Sequence, residues 1–128
     1  MPLTIYKSSA GSGKTFTLVK EYLKLVLRRP KDFQHILAIT FTNKATEEMK
    51  SRVLRNLQQI AKGEPSDIFE VLKAEFEGEL SEAILKHRAN EAYELIIHNY
   101  SRFEISTIDS FFSRIVRSFS RELDIPMS

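Results

Sequence analysis

Ser8-Ser9-Ala10-Gly11-Ser12-Gly13-Lys14-Thr15 is the stretch on which the reading of this 128-residue chain turns. The phosphate-binding loop is written G-x-x-x-x-G-K-[ST]; the chain matches its last three positions and carries Ser8 where the first glycine is expected. Each residue type has a chemical reason. Gly11 and Gly13 permit positive φ and let backbone N–H groups converge on phosphate oxygens. A helix starting near Gly13 aims its positive end at the same anion. Lys14 supplies an ammonium for the terminal phosphates and Thr15 a hydroxyl for Mg²⁺. The candidate nucleotide-binding residues are therefore Ser9, Ala10, Gly11, Ser12, Gly13, Lys14 and Thr15. Lys14 and Thr15 are the candidate catalytic pair, with Thr15 meeting the metal through the nucleotide.

A Gly-Ser-Gly-Lys-Thr string carries weight only in the right surroundings, and the flanks supply them. Leu3-Thr4-Ile5-Tyr6 is a short β-prone run before the loop, and Leu18, Val19, Tyr22, Leu23 and Val26 recur at helical spacing after it. Arg28-Arg29-Pro30 stops that helix. Residues 36–41, Ile-Leu-Ala-Ile-Thr-Phe, form a nearly continuous apolar run, as a strand covered on both faces requires. The next helix spans about 44–61, capped by Thr42 or Asn43, with Ala45, Met49, Val53, Leu57 and Ile60 on its inner face. Beyond the Gly63-Glu64-Pro65-Ser66 break come helices at about 67–76 and 82–100, the second capped by Ser81. A third strand is expected at 103–108 and a last helix at 110–123, burying Phe111, Ile115, Phe119 and Val116. Leu95, Ile96 and Ile97 are expected in the core. Strands alternating with helices imply an α/β fold with a parallel sheet.

Composition narrows the classes. A 42% hydrophobic content excludes disorder, and the absence of cysteine excludes disulfides, thiolate metal sites and a cysteine nucleophile. No apolar run is long enough to span a bilayer and the N-terminus has no signal pattern, so a cytoplasmic protein with no membrane partner is expected. The net charge of +2 conceals a division: residues 1–62 carry 12 basic and 4 acidic side chains, whereas residues 63–104 carry 4 and 10. The basic half suits a polyanionic partner. The acidic stretch, with Glu75, Glu77, Glu79 and Glu82, reads as the solvated face of a helical insertion. His87 and His98 share a helix face, but 11 residues at 1.5 Å rise put them about 16 Å apart, too far to share a metal.

Two further blocks carry a resemblance. Thr40-Phe41-Thr42-Asn43-Lys44-Ala45-Thr46-Glu47-Glu48-Met49 resembles motif Ia, T-F-T-N-K-A-A-x-E-M, of the superfamily 1 UvrD/Rep-type DNA helicases, and residues 9–15 resemble their motif I. Ser106-Thr107-Ile108-Asp109-Ser110-Phe111, followed by Arg114 and Arg117, is similar to motif Ib, T-x-H-S-F. The likeness is strongest to the AddA/RecB-like helicase–nuclease branch.

The resemblance implies a P-loop NTPase (RecA-like) α/β fragment, a short parallel sheet flanked by helices. Residues 1–128 would be the N-terminal part of helicase domain 1A, with 63–102 a helical insertion within it and the domain truncated at its C-terminus. It also implies ATP and Mg²⁺ as cofactors, translocation on single-stranded DNA, and partnership with the remaining helicase domains and a helicase–nuclease partner protein. The DNA-contact candidates it carries over are Thr40, Phe41, Thr42, Asn43, Thr107, Ser110 and Phe111. An aromatic at Phe41 stacks on a base of any identity, or else is a core residue; Asn43 is a helix cap, a DNA contact or both. Asp109 departs from the pattern's His, and a carboxylate beside phosphate is unfavourable, so Asp109 is expected to cap the last helix. Arg114 and Arg117 pair with acids or meet phosphate.

No D-E-x-x-D follows a strand in these 128 residues, and no glutamine motif precedes the loop. The piece alone is therefore expected to lack helicase activity and to expose a sheet edge through which copies self-associate. Two other readings stay open from the residues: a different P-loop nucleotide-binding protein, although no N-K-x-D appears, and a non-enzymatic module binding nucleic acid or a partner.

Overall fold

The computed structural model describes residues 3–5 and 13–123, with side chains from Thr15 onward. Residues 6–12 lie outside the described residues, and with them the expectations for Tyr6, Ser9, Ala10, Gly11 and Ser12; the Lys14 side chain does too. The order of elements is β1 (Leu3–Ile5), α1 (Gly13–Arg28), a 3₁₀ turn (Pro30–His35), β2 (Leu37–Thr40), α2 (Asn43–Lys62), α3 (Asp67–Glu75), α4 (Glu82–His98), a second 3₁₀ turn (Tyr100–Arg102), β3 (Ile105–Thr107) and α5 (Ile108–Glu122).

All three strands run parallel in the order β1-β2-β3, with Ile5 opposite Ile39 and Thr40 opposite Thr107. The α/β expectation from the alternation of elements holds. Strand β2 is buried at all four residues, which explains why its sequence shows no polar alternation. Proline at 30 does end α1, but it also opens a 3₁₀ turn that runs to His35.

Helix α2 buries Ala45, Met49, Val53, Leu57 and Ile60, the face expected from its 3.6-residue period. Leu23, Val26 and Leu27 of α1, Phe69 and Leu72 of α3, and Leu85, Ala89 and Ile96 of α4 join the same core. Residues 63–104 thus contribute interior, and their acids are not merely solvated. Glu75 holds both Lys20 (2.9 Å) and Lys24 (2.7 Å) of α1, and Arg28 reaches Glu79 at 3.3 Å. Hydrogen bonds from Lys24 and Lys20 keep the Glu75 carboxyl below its usual range. The basic first helix and the acidic third are clasped to each other. Tyr22 of α1 is buried edge-on against Phe103, 5.7 Å between ring centres, and burial beside the Glu104 charge pushes its hydroxyl far above the ordinary tyrosine range.

Three sequence expectations fail. Helix α5 buries none of its residues: Phe119 is 61% exposed, Ile115 and Val116 about half, and Phe111 is only half-buried. Its apolar stripe is real, but no described element covers it. Ile97 is also exposed, because the α4 face turned inward runs through Leu85, Ala89, Ala92 and Ile96, one step around the helix. Asp109 is not a cap, since Thr107 already occupies that position, as described below.

Helix α2 ends in a Schellman arrangement: Gly63 sits at φ 74°, its N–H donates to the Ile60 carbonyl, and the Glu64 N–H donates to the Gln59 carbonyl. A β-carbon at 63 would add left-handed strain and meet the flexible end of Lys86 at 3.0 Å. Gly63→Ala is expected to lower stability by about 1 kcal/mol, measured as a shifted urea midpoint at unchanged slope.

Candidate functional site

Parallel pairing sends the carboxyl ends of β1, β2 and β3 to one edge of the sheet, and ligands of open α/β sheets gather at such edges. From that edge the chain leaves β1 toward α1, leaves β2 into α2 through Phe41 and Thr42, and leaves β3 directly into α5. The turns after β2 and β3, which carry two of the motif-bearing stretches, therefore meet at the edge to which β1 also points its carboxyl end.

At the first stretch, α1 begins at Gly13, as the loop pattern requires, and Thr15 is 4% exposed in its first turn. A hydroxyl in the opening turn of a helix that follows a parallel strand is the donor type that a nucleotide-bound Mg²⁺ takes. Among the described residues no cluster of three His, Cys, Asp or Glu could hold a metal ion by itself.

At the second stretch, the backbone reverses direction in two residues. Thr42 adopts extended backbone (φ −130°, ψ 155°), and its hydroxyl accepts the Ala45 N–H at 3.0 Å, so Thr42 and not Asn43 is the N-cap of α2. Phe41 leaves the strand and stands 46% exposed. Asn43 and Lys44 are exposed beside it in the first turn. Of the two readings of Phe41, core residue or surface aromatic, the structure places it at the surface.

Thr40 differs from its neighbours. Its side chain is 1% exposed, and its hydroxyl lies 2.6 Å from the Thr46 hydroxyl, 3.3 Å from the Thr42 carbonyl and 3.4 Å from the Ser106 carbonyl. The expectation that Thr40 itself touches DNA meets a buried residue whose hydroxyl faces three protein oxygens.

At the third stretch, the Thr107 hydroxyl accepts the Ser110 N–H at 3.2 Å and caps α5, and Thr107 is 8% exposed. The capping role expected of Asp109 thus belongs to Thr107, and Asp109 is an exposed first-turn residue that favours the positive helix end. Ser110 is exposed at the same corner. Phe111 is not. It lines a groove of about 560 Å³ between α5 and the amino end of β2, with Ile36, Leu37, Ile115 and Phe119. Arg114 donates to Glu104 at 2.9 Å, which settles one of its two readings in favour of an acid partner.

The exposed corner therefore consists of Phe41, Thr42, Asn43 and Ser110, supported from inside by Thr40 and Thr107. Neighbouring strands lie about 4.8 Å apart, so the two turns are adjacent. Sequence reasoning passed over Lys44 and Thr46 as contributors; the signal was their position inside the quoted block. Thr42→Ala, which leaves the Ala45 N–H without its acceptor, is expected to cost about 1 kcal/mol of stability, read as a lower thermal midpoint.

Comparisons with known proteins identify the family. The UvrD/REP helicase N-terminal domain family matches residues 2–127. The A-subunit of the ATP-dependent helicase/nuclease of Bacillus cytotoxicus is 34% identical over 120 residues, 92% of this chain and 8% of that protein. Its counterparts in Staphylococcus carnosus and Lacticaseibacillus casei are each 30% identical, over 95% and 94% of this chain and 8% of their own length. The chain thus spans about 8% of the length of the curated relatives it matches. No solved structure matches it. With the family matched over almost its full length, this chain belongs to the UvrD/REP helicase N-terminal domain family.

Proposed function

We propose that this chain is the ATP-binding N-terminal portion of an ATP-dependent DNA helicase that translocates on single-stranded DNA. The observation that carries the reading is the arrival of the turns after β2 and β3 on one edge of a parallel sheet, with Phe41 exposed there. Ser9, Ala10, Gly11, Ser12, Gly13, Lys14 and Thr15 bind the triphosphate. Lys14 neutralises the terminal phosphates, and Thr15 takes the Mg²⁺ that comes with them. Held there, Mg²⁺ would supply positive charge to offset that of the transferring phosphoryl group.

Phe41, Thr42, Asn43 and Ser110 form the DNA-facing corner. Phe41 offers a ring on which a base stacks without regard to sequence, as translocation along any strand demands. Asn43 and Ser110 offer side chains for the sugar–phosphate backbone. Thr40 and Thr107 hold the corner, and residues 63–102 form the helical insertion that separates its two turns in sequence.

The exposed stripe of α5, with Phe112, Ile115, Val116 and Phe119 beside the groove, is where the remaining domains of the longer relatives would pack. No described helix is long and apolar enough to cross a membrane, and we place the protein in the cytoplasm with DNA as its partner.

Titration with a fluorescent ATP analogue and Mg²⁺ tests the nucleotide half. Binding is expected, with loss of at least about tenfold in affinity for Lys14→Ala and no steady-state turnover by the 128-residue chain; turnover that Lys14→Ala abolishes would contradict the reading. Fluorescence anisotropy of a labelled oligodeoxythymidylate tests the other half. Phe41→Ala is expected to cost about 1–3 kcal/mol of binding, roughly 5- to 150-fold, with affinity falling as salt rises. Equal binding by Phe41→Ala and the unaltered chain would refute the stacking role.

A further inference from the structure

We propose that Thr46 is a positioning residue that fixes the Phe41 turn and links it to the turn after β3. The inference rests on the DNA reading of that corner. Thr46 stands where the motif Ia pattern T-F-T-N-K-A-A-x-E-M has its second alanine, so the hydroxyl is a feature this chain adds to the pattern. It is 7% exposed, on the inner side of the first turn of α2, and cannot itself touch a ligand at the surface.

Thr46 grips the reversal at both of its ends. Its backbone N–H donates to the Thr42 carbonyl at 3.0 Å, the first hydrogen bond of α2. Its side-chain hydroxyl lies 2.6 Å from that of Thr40, the last residue of β2. Phe41 is held between these two anchors.

The hydroxyl of Thr40 has one hydrogen to give and three oxygens within reach: those of Thr46, Thr42 and Ser106. When Thr46 donates to Thr40, the Thr40 hydrogen is released for a carbonyl, that of Thr42 on the same turn or that of Ser106 on β3. Two buried hydroxyls in series therefore connect the base of α2 to the strand that delivers Thr107 and Ser110. Without the Thr46 hydroxyl, the buried lone pairs of Thr40 lose their donor, and its single hydrogen is left to bind one carbonyl with nothing behind it.

The test compares Thr46→Val, Thr46→Ala and Thr46→Ser in the full 128-residue chain. Valine keeps the volume and the β-branch, alanine removes the side chain while favouring the helix, and serine keeps the hydroxyl. Both hydroxyl-free variants are expected to bind oligodeoxythymidylate about 3- to 10-fold more weakly at an unchanged circular dichroism spectrum, and serine to stay within about twofold of the parent. Amide hydrogen exchange gives a second readout that needs no DNA. With valine or alanine, exchange is expected to rise several-fold in residues 41–46 and in residues 106–110 together, and to stay unchanged in α4. A rise confined to 41–46, or a serine variant that behaves like valine, overturns the link. If the parent chain itself fails to bind the oligonucleotide, the DNA reading falls, and the paired exchange response still decides the role of Thr46.

Discussion

Strand β2 is buried along its whole length, and the functional corner depends on that constraint. A strand covered on both faces cannot leave its carboxyl end ragged, because every unpaired polar group there would be sealed from water. The chain meets the requirement by turning into α2 within two residues and capping it with Thr42, by seating Thr40 among three oxygen atoms, and by using Thr107 to repeat the cap on the neighbouring strand. Phe41 is the residue left outside. Its exposure follows from the tightness of the turn and needs no separate device.

The same economy explains how the charges are divided. Lys20, Lys24 and Arg28 of α1 are matched by Glu75 and Glu79 beyond the Gly63 break, so the acidic segment neutralises the back of the basic one. Exposed pairs of this kind contribute little stability each. Their effect is on the field: positive charge is cancelled where α3 lies against α1, while Lys44 remains exposed at the corner.

Much of this was readable from the residues. The amphipathic helix that starts at Gly13, the buried strand at 37–40 and the period of α2 each have a direct physical cause, and the structure follows them. What failed had a different origin. The α5 pattern announces a stripe that wants covering, but periodicity cannot say whether the cover lies within the same 128 residues, and no described residues supply it. Asp109 looked like a cap because carboxylates make good ones; the actual cap is two positions earlier because β3 runs straight into α5 with no connecting loop. Thr40 and Phe41 are adjacent letters of one motif, one buried and the other exposed, a distinction that a motif string does not record.

The central claim is that the corner made by Phe41, Thr42, Asn43 and Ser110 is the nucleic-acid contact of this domain. The most direct test is chemical-shift mapping of the isotope-labelled chain titrated with a short oligodeoxythymidylate. The account predicts shifts concentrated at residues 41–44 and 110, with α4 and the groove beneath α5 undisturbed. Shifts confined to the α5 groove or to the outer face of α4, with residues 41–44 silent, would contradict it.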